Sequence, residues 1–348
     1  LPQSQQEPLR VVAIGGGTGL STLLKGIRPY SHINAKLPSR HPLMEITAVV
    51  TVTDDGGSSG RLRRDLDMLP PGDIRNCMVA LAEDEALLTK LFQYRFDSGR
   101  GLRGHSFGNL FLAVMTQVTG DFTKAVKLSS EVLAIAGHIY PSTASQVMLR
   151  ATLADGRMVE GESKISRSRV PIARIELEPK GCRPLSETLE AIRTADLITL
   201  GPGSLYTSVI PNLLVRGIAT EIARSAAVKA CFVNLMSQPG ETTGMSASAH
   251  IRAMETHARR RLVEYAVLNT APLAAPAVRR YARSEAQPVL SDGEAIRRMG
   301  IQVVGLPLAS AGEKVRHDPE RVGLVALQLA KRGRRRRTQP ARTGEGED

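Results

Sequence analysis

Two glycine-rich stretches carry the residue types and spacing that handle phosphate groups. The apolar run Val11-Val12-Ala13-Ile14 ends in Gly15-Gly16-Gly17-Thr18-Gly19-Leu20, and Asp196-Leu197-Ile198-Thr199-Leu200 ends in Gly201-Pro202-Gly203-Ser204-Leu205-Tyr206-Thr207-Ser208. Glycine lets peptide N–H groups approach a ligand with no Cβ in the way. A helix starting just beyond aims its unpaired N–H groups and positive dipole end at the same spot, which suits phosphate. Both loops therefore read as holds on one phosphorylated ligand. The first is not a dinucleotide fingerprint, because Leu20 stands where the third glycine belongs and no acidic residue follows about 20 residues on. Nor is it a P-loop, since no Gly-Lys-Ser/Thr follows. What remains is strand, glycines and helix, a phosphate loop or a tight turn.

Further polar stretches accompany these two. Asp54-Asp55-Gly56-Gly57-Ser58-Ser59-Gly60-Arg61 follows the next apolar run. Its two carboxylates can accept sugar hydroxyls or hold Mg²⁺ beside phosphate, the serines and glycines add donors, and Arg61 and Arg63 add positive charge. An Asp-Gly surface turn is the plain alternative. Gly72-Asp73-Ile74-Arg75-Asn76 places Asp, Arg and Asn at a helix start, where Asp73 reads equally as an N-cap. Gly104-His105-Ser106-Phe107-Gly108 matches the G-x-S-x-G of serine hydrolases, but a nucleophile elbow needs a preceding strand. A polar, glycine-broken loop stands there instead. His105, Ser106 and Asn109 read better as the opening of a helix, with hydrogen bonds to offer a ligand. The segment Asn234–Thr242 follows another apolar run and could line the same edge. Tyr281 and Arg316, judged on residue type alone, read as surface side chains.

The elements that must position these residues follow an alternating pattern. Strand-like runs at 11–14, 46–52, 196–200, 230–235, 262–268 and 301–304 are separated by helical spacing at 20–27, 74–82, 87–96, 109–119, 122–136, 212–224, 245–257 and 321–331. This is the signature of an α/β fold, a Rossmann-like, mostly parallel sheet with helices on both faces. Asp155-Gly156 between two short apolar runs marks a hairpin, and with Ile172–Leu177 it predicts a small antiparallel β insertion at about 147–178. The expected organisation is a disordered segment 1–10, one α/β domain 11–330 and a disordered basic tail 331–348. The stretch 31–43 reads as an irregular connection.

Bulk properties narrow the classes. A chain of 348 residues that is 42% hydrophobic but only 3% aromatic, with no Trp, builds an aliphatic core suited to parallel strands. Three scattered cysteines support neither a disulfide framework nor a zinc site, and point to reduced thiols in the cytoplasm. No apolar run reaches the roughly 20 residues of a membrane span, and the polar start carries no signal-peptide pattern. The net charge of +12 raises a nucleic-acid reading. The region 331–348 holds seven basic and three acidic residues, with Arg334–Arg337 consecutive, and reads as a solvated end.

Taken in order, GGGTGL, TVTDDGGSSGRLR, PPGDIRN, GHSFGN and GPGSLYTSVIPNLL resemble the YvcK proteins, the gluconeogenesis factors of the CofD/YvcK superfamily. The segments around Ser237–Thr242, Tyr281 and Arg316 are similar too, and the resemblance runs from about Val11 to Ala330. It implies the Rossmann-like fold of CofD enzymes, which transfer 2-phospho-L-lactate from a nucleotide-activated donor to a deazaflavin. For this branch it implies cytoplasmic proteins that bind UDP-sugars, notably UDP-N-acetylglucosamine, and support cell shape and wall synthesis during gluconeogenic growth. By motif, Gly16, Gly17 and Thr18 are expected to hold phosphate or ribose with Asp54 and Asp55 beside them. Gly203, Ser204 and Tyr206 form the second loop, Asn76, His105 and Asn109 complete the binding set, and Tyr281 and Arg316 contact the nucleotide-sugar. NAD or another dinucleotide is an alternative occupant of the same cleft. Asp54 and Asp55 are the candidates for Mg²⁺ and for any catalysis. A homo-oligomer with cell-wall synthesis proteins as partners is expected, and nucleic acid is not. The connection between Pro29 and Glu45 and the arginine-rich tail depart from the family pattern. Two functions stay open, a non-catalytic UDP-sugar sensor and a Mg-dependent, CofD-like transferase.

Overall fold

The structure is a computed structural model that describes residues 7–34, 43–83, 85–310, 312 and 314–338. Its strands are β1 (Leu9–Gly15), β2 (Met44–Val50), β3 (His138–Pro141), β4 (Met148–Leu153), β5 (Met158–Glu160), β6 (Ile172–Glu178), β7 (Leu197–Leu200), β8 (Val228–Phe232), β9 (Tyr265–Asn269) and β10 (Gln302–Leu306). Seven of them form one sheet in the order β10-β9-β8-β7-β1-β2-β3, and every neighbouring pair is parallel. β1, β2, β7 and β8 are almost entirely buried, as expected of strands covered by helices on both faces.

The topology places the site. The chain runs outward from β1 through β2 to β3, then returns to β7 on the other flank of β1. Ile14 pairs with Leu200, so the loops leaving β1 and β7 rise side by side from the same rim. Ligands of open α/β sheets bind at such a reversal point. The helix Gly17–Ile27 starts directly in the first loop, with Gly16 as its N-cap. β4, β5 and β6 form the separate antiparallel sheet, in the order β5-β4-β6, that the Asp155-Gly156 turn announces.

Several expectations change. The short edge strand β3 escaped the sequence reading because only four residues pair, two of them a His and a Pro. The expected helix 212–224 is two, Ile210–Leu214 and Ile218–Arg224, broken at Gly217, whose φ of 97° no helix accepts. The second half of the 54–60 loop is already helix, Gly57–Leu66. β1 begins inside the segment expected to be disordered, at Leu9, while residues 1–6 and most of the 31–43 connection lie outside the described residues.

The largest correction concerns the basic tail. The helix Pro319–Thr338 runs straight through the arginine block. Asp196, just ahead of β7 and 0% exposed, accepts from Arg334 Nη2 at 2.8 Å and from Arg337 Nε at 3.1 Å, while Arg336 pairs with Glu264 at 2.9 Å. A buried carboxylate demands such partners, so these arginines are docked rather than solvated. Residues 339–348 lie outside the described residues.

Candidate functional site

The two glycine loops are packed against each other. A Cβ on Gly19 would stand 2.5 Å from the Pro202 carbonyl oxygen and 2.6 Å from the Gly203 nitrogen. Only glycine admits that approach. Asn234, just beyond β8, fastens the second loop from the other side: its Oδ1 accepts from the Gly203 N–H at 3.1 Å and its Nδ2 donates to the Gly203 carbonyl at 2.7 Å. Ser204 Oγ accepts from Gln238 Nε2 at 2.7 Å.

On one flank of these loops opens a cleft of about 300 Å³ whose wall includes Thr18, Gly203, Ser204, Tyr281, Lys314 and Arg316. A second cavity of about 310 Å³ shares Thr18, Thr22, Arg316 and His317 with it and reaches Lys25 and Asn76. Tyr281 and Arg316, unremarkable by residue type, thus meet both glycine loops although they lie far along the chain. Arg316 is set by its own turn, in which the Ser310 N–H donates to its carbonyl at 2.8 Å. Next to it, His317 donates from Nε2 to the Val233 carbonyl at 3.1 Å. Burial lowers the His317 pKa to about 4 against the opposing pull of that carbonyl, so the ring is neutral. Asn234, Gln238, Lys314 and His317 were not singled out as site residues. The Asn234–Thr242 segment after β8 was the available signal for the first two.

The other flank is acidic. Asp73, in the first turn of the helix Gly72–Leu81, crosses to accept from the Gly17 N–H and so occupies part of the helix start beside Gly16. A Cβ on Gly16 would lie 2.5 Å from Asp73 Oδ2. Burial, then the negative charge of Asp54, raises the Asp73 pKa to about 6 against the Gly17 N–H and Arg75. Glu162, from the inserted unit, accepts from Thr53 Oγ1 at 3.0 Å, and burial followed by Asp54 and Asp73 raises its pKa well above the carboxylate range. Glu241 is 4% exposed and accepts weakly from Thr207 Oγ1 at 3.3 Å and Ser166 Oγ at 3.4 Å. Its Oε2 has no partner among the described residues, and burial raises its pKa to about 7. Glu162 was not foreseen, since it enters from an element remote in sequence; Glu241 lies in the Asn234–Thr242 segment expected along this edge but was not singled out within it.

The remaining expected residues divide between these flanks and the interior. Asp54 Oδ1 accepts from the Gly56 N–H at 2.9 Å, whereas Asp55 Oδ1 accepts from the Ser163 N–H at 2.8 Å and tethers the inserted unit. Among the described residues no group of three His, Cys, Asp or Glu side chains is placed to hold a metal ion. The Asp54–Asp55 pair does not fit one, because Asp54 turns back on the Gly56 N–H while Asp55 reaches across to the Ser163 N–H. His105 Nδ1 lies 2.9 Å from Ser58 Oγ, and burial lowers its pKa. Asn109, 2% exposed, donates to Ser59 Oγ at 3.3 Å. Ser106 caps the helix Phe107–Thr119 and accepts from Arg75 Nη1 at 2.6 Å. Arg75 Nη2 also holds Asn76 Oδ1 at 2.8 Å, beside the second cavity. Arg61 and Arg63 spend their guanidinium groups on the carbonyls of Arg103 and Val147. Tyr206 is 5% exposed and packs edge-on against His257, on the side of the inserted sheet, so it does not line the cleft.

Comparison with known proteins agrees with this architecture. The family model of 2-phospho-L-lactate transferase CofD matches residues 11–309, so the chain belongs to the CofD/YvcK family. Within it, the similar proteins are gluconeogenesis factors. That of Halalkalibacterium halodurans is 44% identical over 91% of this chain and 95% of its own, and that of Bacillus subtilis (strain 168) is 42% identical over 94% and 99%. The crystal structure of protein BH3568 from Bacillus halodurans superposes with a TM-score of 0.86 at 43% identity, covering 92% of this chain and 100% of that one.

Proposed function

We propose that this protein is a non-catalytic, cytoplasmic UDP-sugar-binding regulator. Its ligand is UDP-N-acetylglucosamine, and its role is to support wall synthesis and cell shape during gluconeogenic growth. The observation that carries the reading is that Thr18, Gly203, Ser204, Tyr281, Lys314 and Arg316 border one cleft at the sheet's reversal point. The start of the helix Gly17–Ile27 and two cations suit a diphosphate, and the Tyr281 ring offers a face to a base or sugar. Calorimetry with UDP-N-acetylglucosamine, UDP-glucose, GDP and NAD, with and without Mg²⁺, tests it. UDP-sugar binding is expected to be tightest, and absence of UDP-sugar binding would refute the reading.

One observation favours a second reading, a CofD-like transferase. Asp73 sits at the helix start with its pKa raised to about 6, which suits a general base for an acceptor hydroxyl near neutral pH. A search for turnover of the bound nucleotide decides between the two. Under the transferase reading, Asp73→Asn removes turnover and keeps binding.

A further inference from the structure

A third cavity, at about 410 Å³ larger than the cleft, lies away from it, between strand β6 and the end of the helix Ala247–Ala258. β6 is the outer strand of the inserted sheet. One of its edges pairs with β4, and the other pairs with no strand among the described residues. On that open edge the Ile175 N–H donates to His257 Nε2 at 3.1 Å, while His257 Nδ1 donates to the Ala253 carbonyl at 2.7 Å. The imidazole thus fills one backbone position that a neighbouring strand would otherwise take. An open strand facing a helix across a groove is the geometry by which extended peptides add themselves to a sheet, through main-chain pairing and pockets for alternate side chains.

The groove's charge identifies the peptide. Arg174, Lys180 and Arg259 border it against a single carboxylate, Glu176. Glu176 already engages Arg174 at 2.9 Å and Lys180 at 3.2 Å. Arg259, exposed at the left-handed end of the helix with φ of 52°, has no ion-pair partner among the described residues. Leu177 and Leu214 supply apolar wall. We propose that this groove binds an extended acidic segment of a partner protein, which pairs with β6 as a fourth strand, displaces His257 from the Ile175 N–H and sets a carboxylate on Arg259.

The probe is a blocked, fluorescein-labelled peptide of alternating valine and glutamate, about six residues long, followed by fluorescence anisotropy against the full chain. Saturable binding is expected, at least about tenfold weaker for Arg259→Glu, with unchanged thermal unfolding of that variant. Methylating alternate backbone nitrogens of the peptide keeps its charge and is expected to abolish binding. A valine–lysine peptide is expected not to bind. The proposal is overturned by failure of the acidic peptide to saturate the protein, or by equal binding of the methylated or lysine peptide. A self-associated dimer in sedimentation that Arg259→Glu dissociates would assign the groove to a second copy of the chain and overturn it as well.

Discussion

The two flanks of the paired glycine loops differ in almost every property except their shared backbone. One is an open cleft with Arg316 and Lys314 at its wall; on the other, burial together with the nearby Asp54 charge raises the pKa values of Asp73 and Glu162, and burial alone raises that of Glu241. The cleft side offers charge opposite to a diphosphate, at the surface, where ligands come and go. The carboxylate side holds like charges in a low-dielectric region, an arrangement that costs stability whenever they ionise. Functional sites are where such costs are tolerated. The difference teaches that the loops separate binding from carboxylate chemistry, with Gly16 and Gly17 as the seam: Asp73 reaches that seam from one side and Thr18 faces the cleft on the other.

The contact between the two glycine loops can be broken first. Gly19→Ala drives a methyl into the Pro202 carbonyl, and the loops must part. The expected cost is about 3 kcal/mol, read as a lowered denaturation midpoint with loss of nucleotide binding. An unchanged midpoint would mean that the two loops are not in contact.

The carboxylate side is tested through pH. Glu241 has a folded pKa of about 7 against an ordinary value of 4.5, so the native state holds its proton more tightly than the unfolded chain does. Stability then falls as pH rises from about 4.5 through 7. Glu241→Gln removes that dependence and raises stability at pH 8 by about 2 kcal/mol while changing little at pH 4. Parallel urea titrations at the two pH values check this, and an equal effect at both would contradict it.

For the cleft side, Arg316→Glu is expected to weaken UDP-N-acetylglucosamine binding at least tenfold, about 1.4 kcal/mol. Unchanged affinity in calorimetry removes Arg316 from the site.

The smallest effect links the two flanks. Asp73 ionises with a pKa of about 6 beside the helix start. Its negative charge opposes a bound phosphate there by a few tenths to about 1 kcal/mol. Without Mg²⁺, nucleotide-sugar affinity is therefore expected to rise about threefold as pH falls from 7 to 5. Asp73→Asn should flatten that profile, and a profile unaltered by the variant would separate the flanks electrostatically.

Much of this arrangement was legible in the chain. Continuous aliphatic runs alternating with helical spacing gave the parallel sheet, and glycines at two strand ends marked its reversal point. What sequence could not show were side chains delivered across the fold. Glu162 stands in the inserted unit and Glu241 in a loop whose neighbours drew attention instead. Asp55 and Tyr206 sit beside genuine loop residues, yet a single step along a turn or helix aims them at the inserted unit. The arginine block misled for a related reason: a charge run reads as solvated unless one knows that Asp196, ahead of an apolar strand, lies buried and needs partners. A lone acid at the mouth of a hydrophobic strand was the clue.

That docked block joins more than a helix to a strand. The Arg334 guanidinium that grips Asp196 also donates to the carbonyls of Glu7 and Pro8, at 3.1 Å and 2.6 Å. One side chain therefore brings the beginning and the close of the described polypeptide to a single point beneath the sheet, on the rim opposite the cleft. A circularly permuted version, spliced there and opened at a surface turn such as Asp155-Gly156, would keep β1 between β7 and β2 while moving both free ends elsewhere.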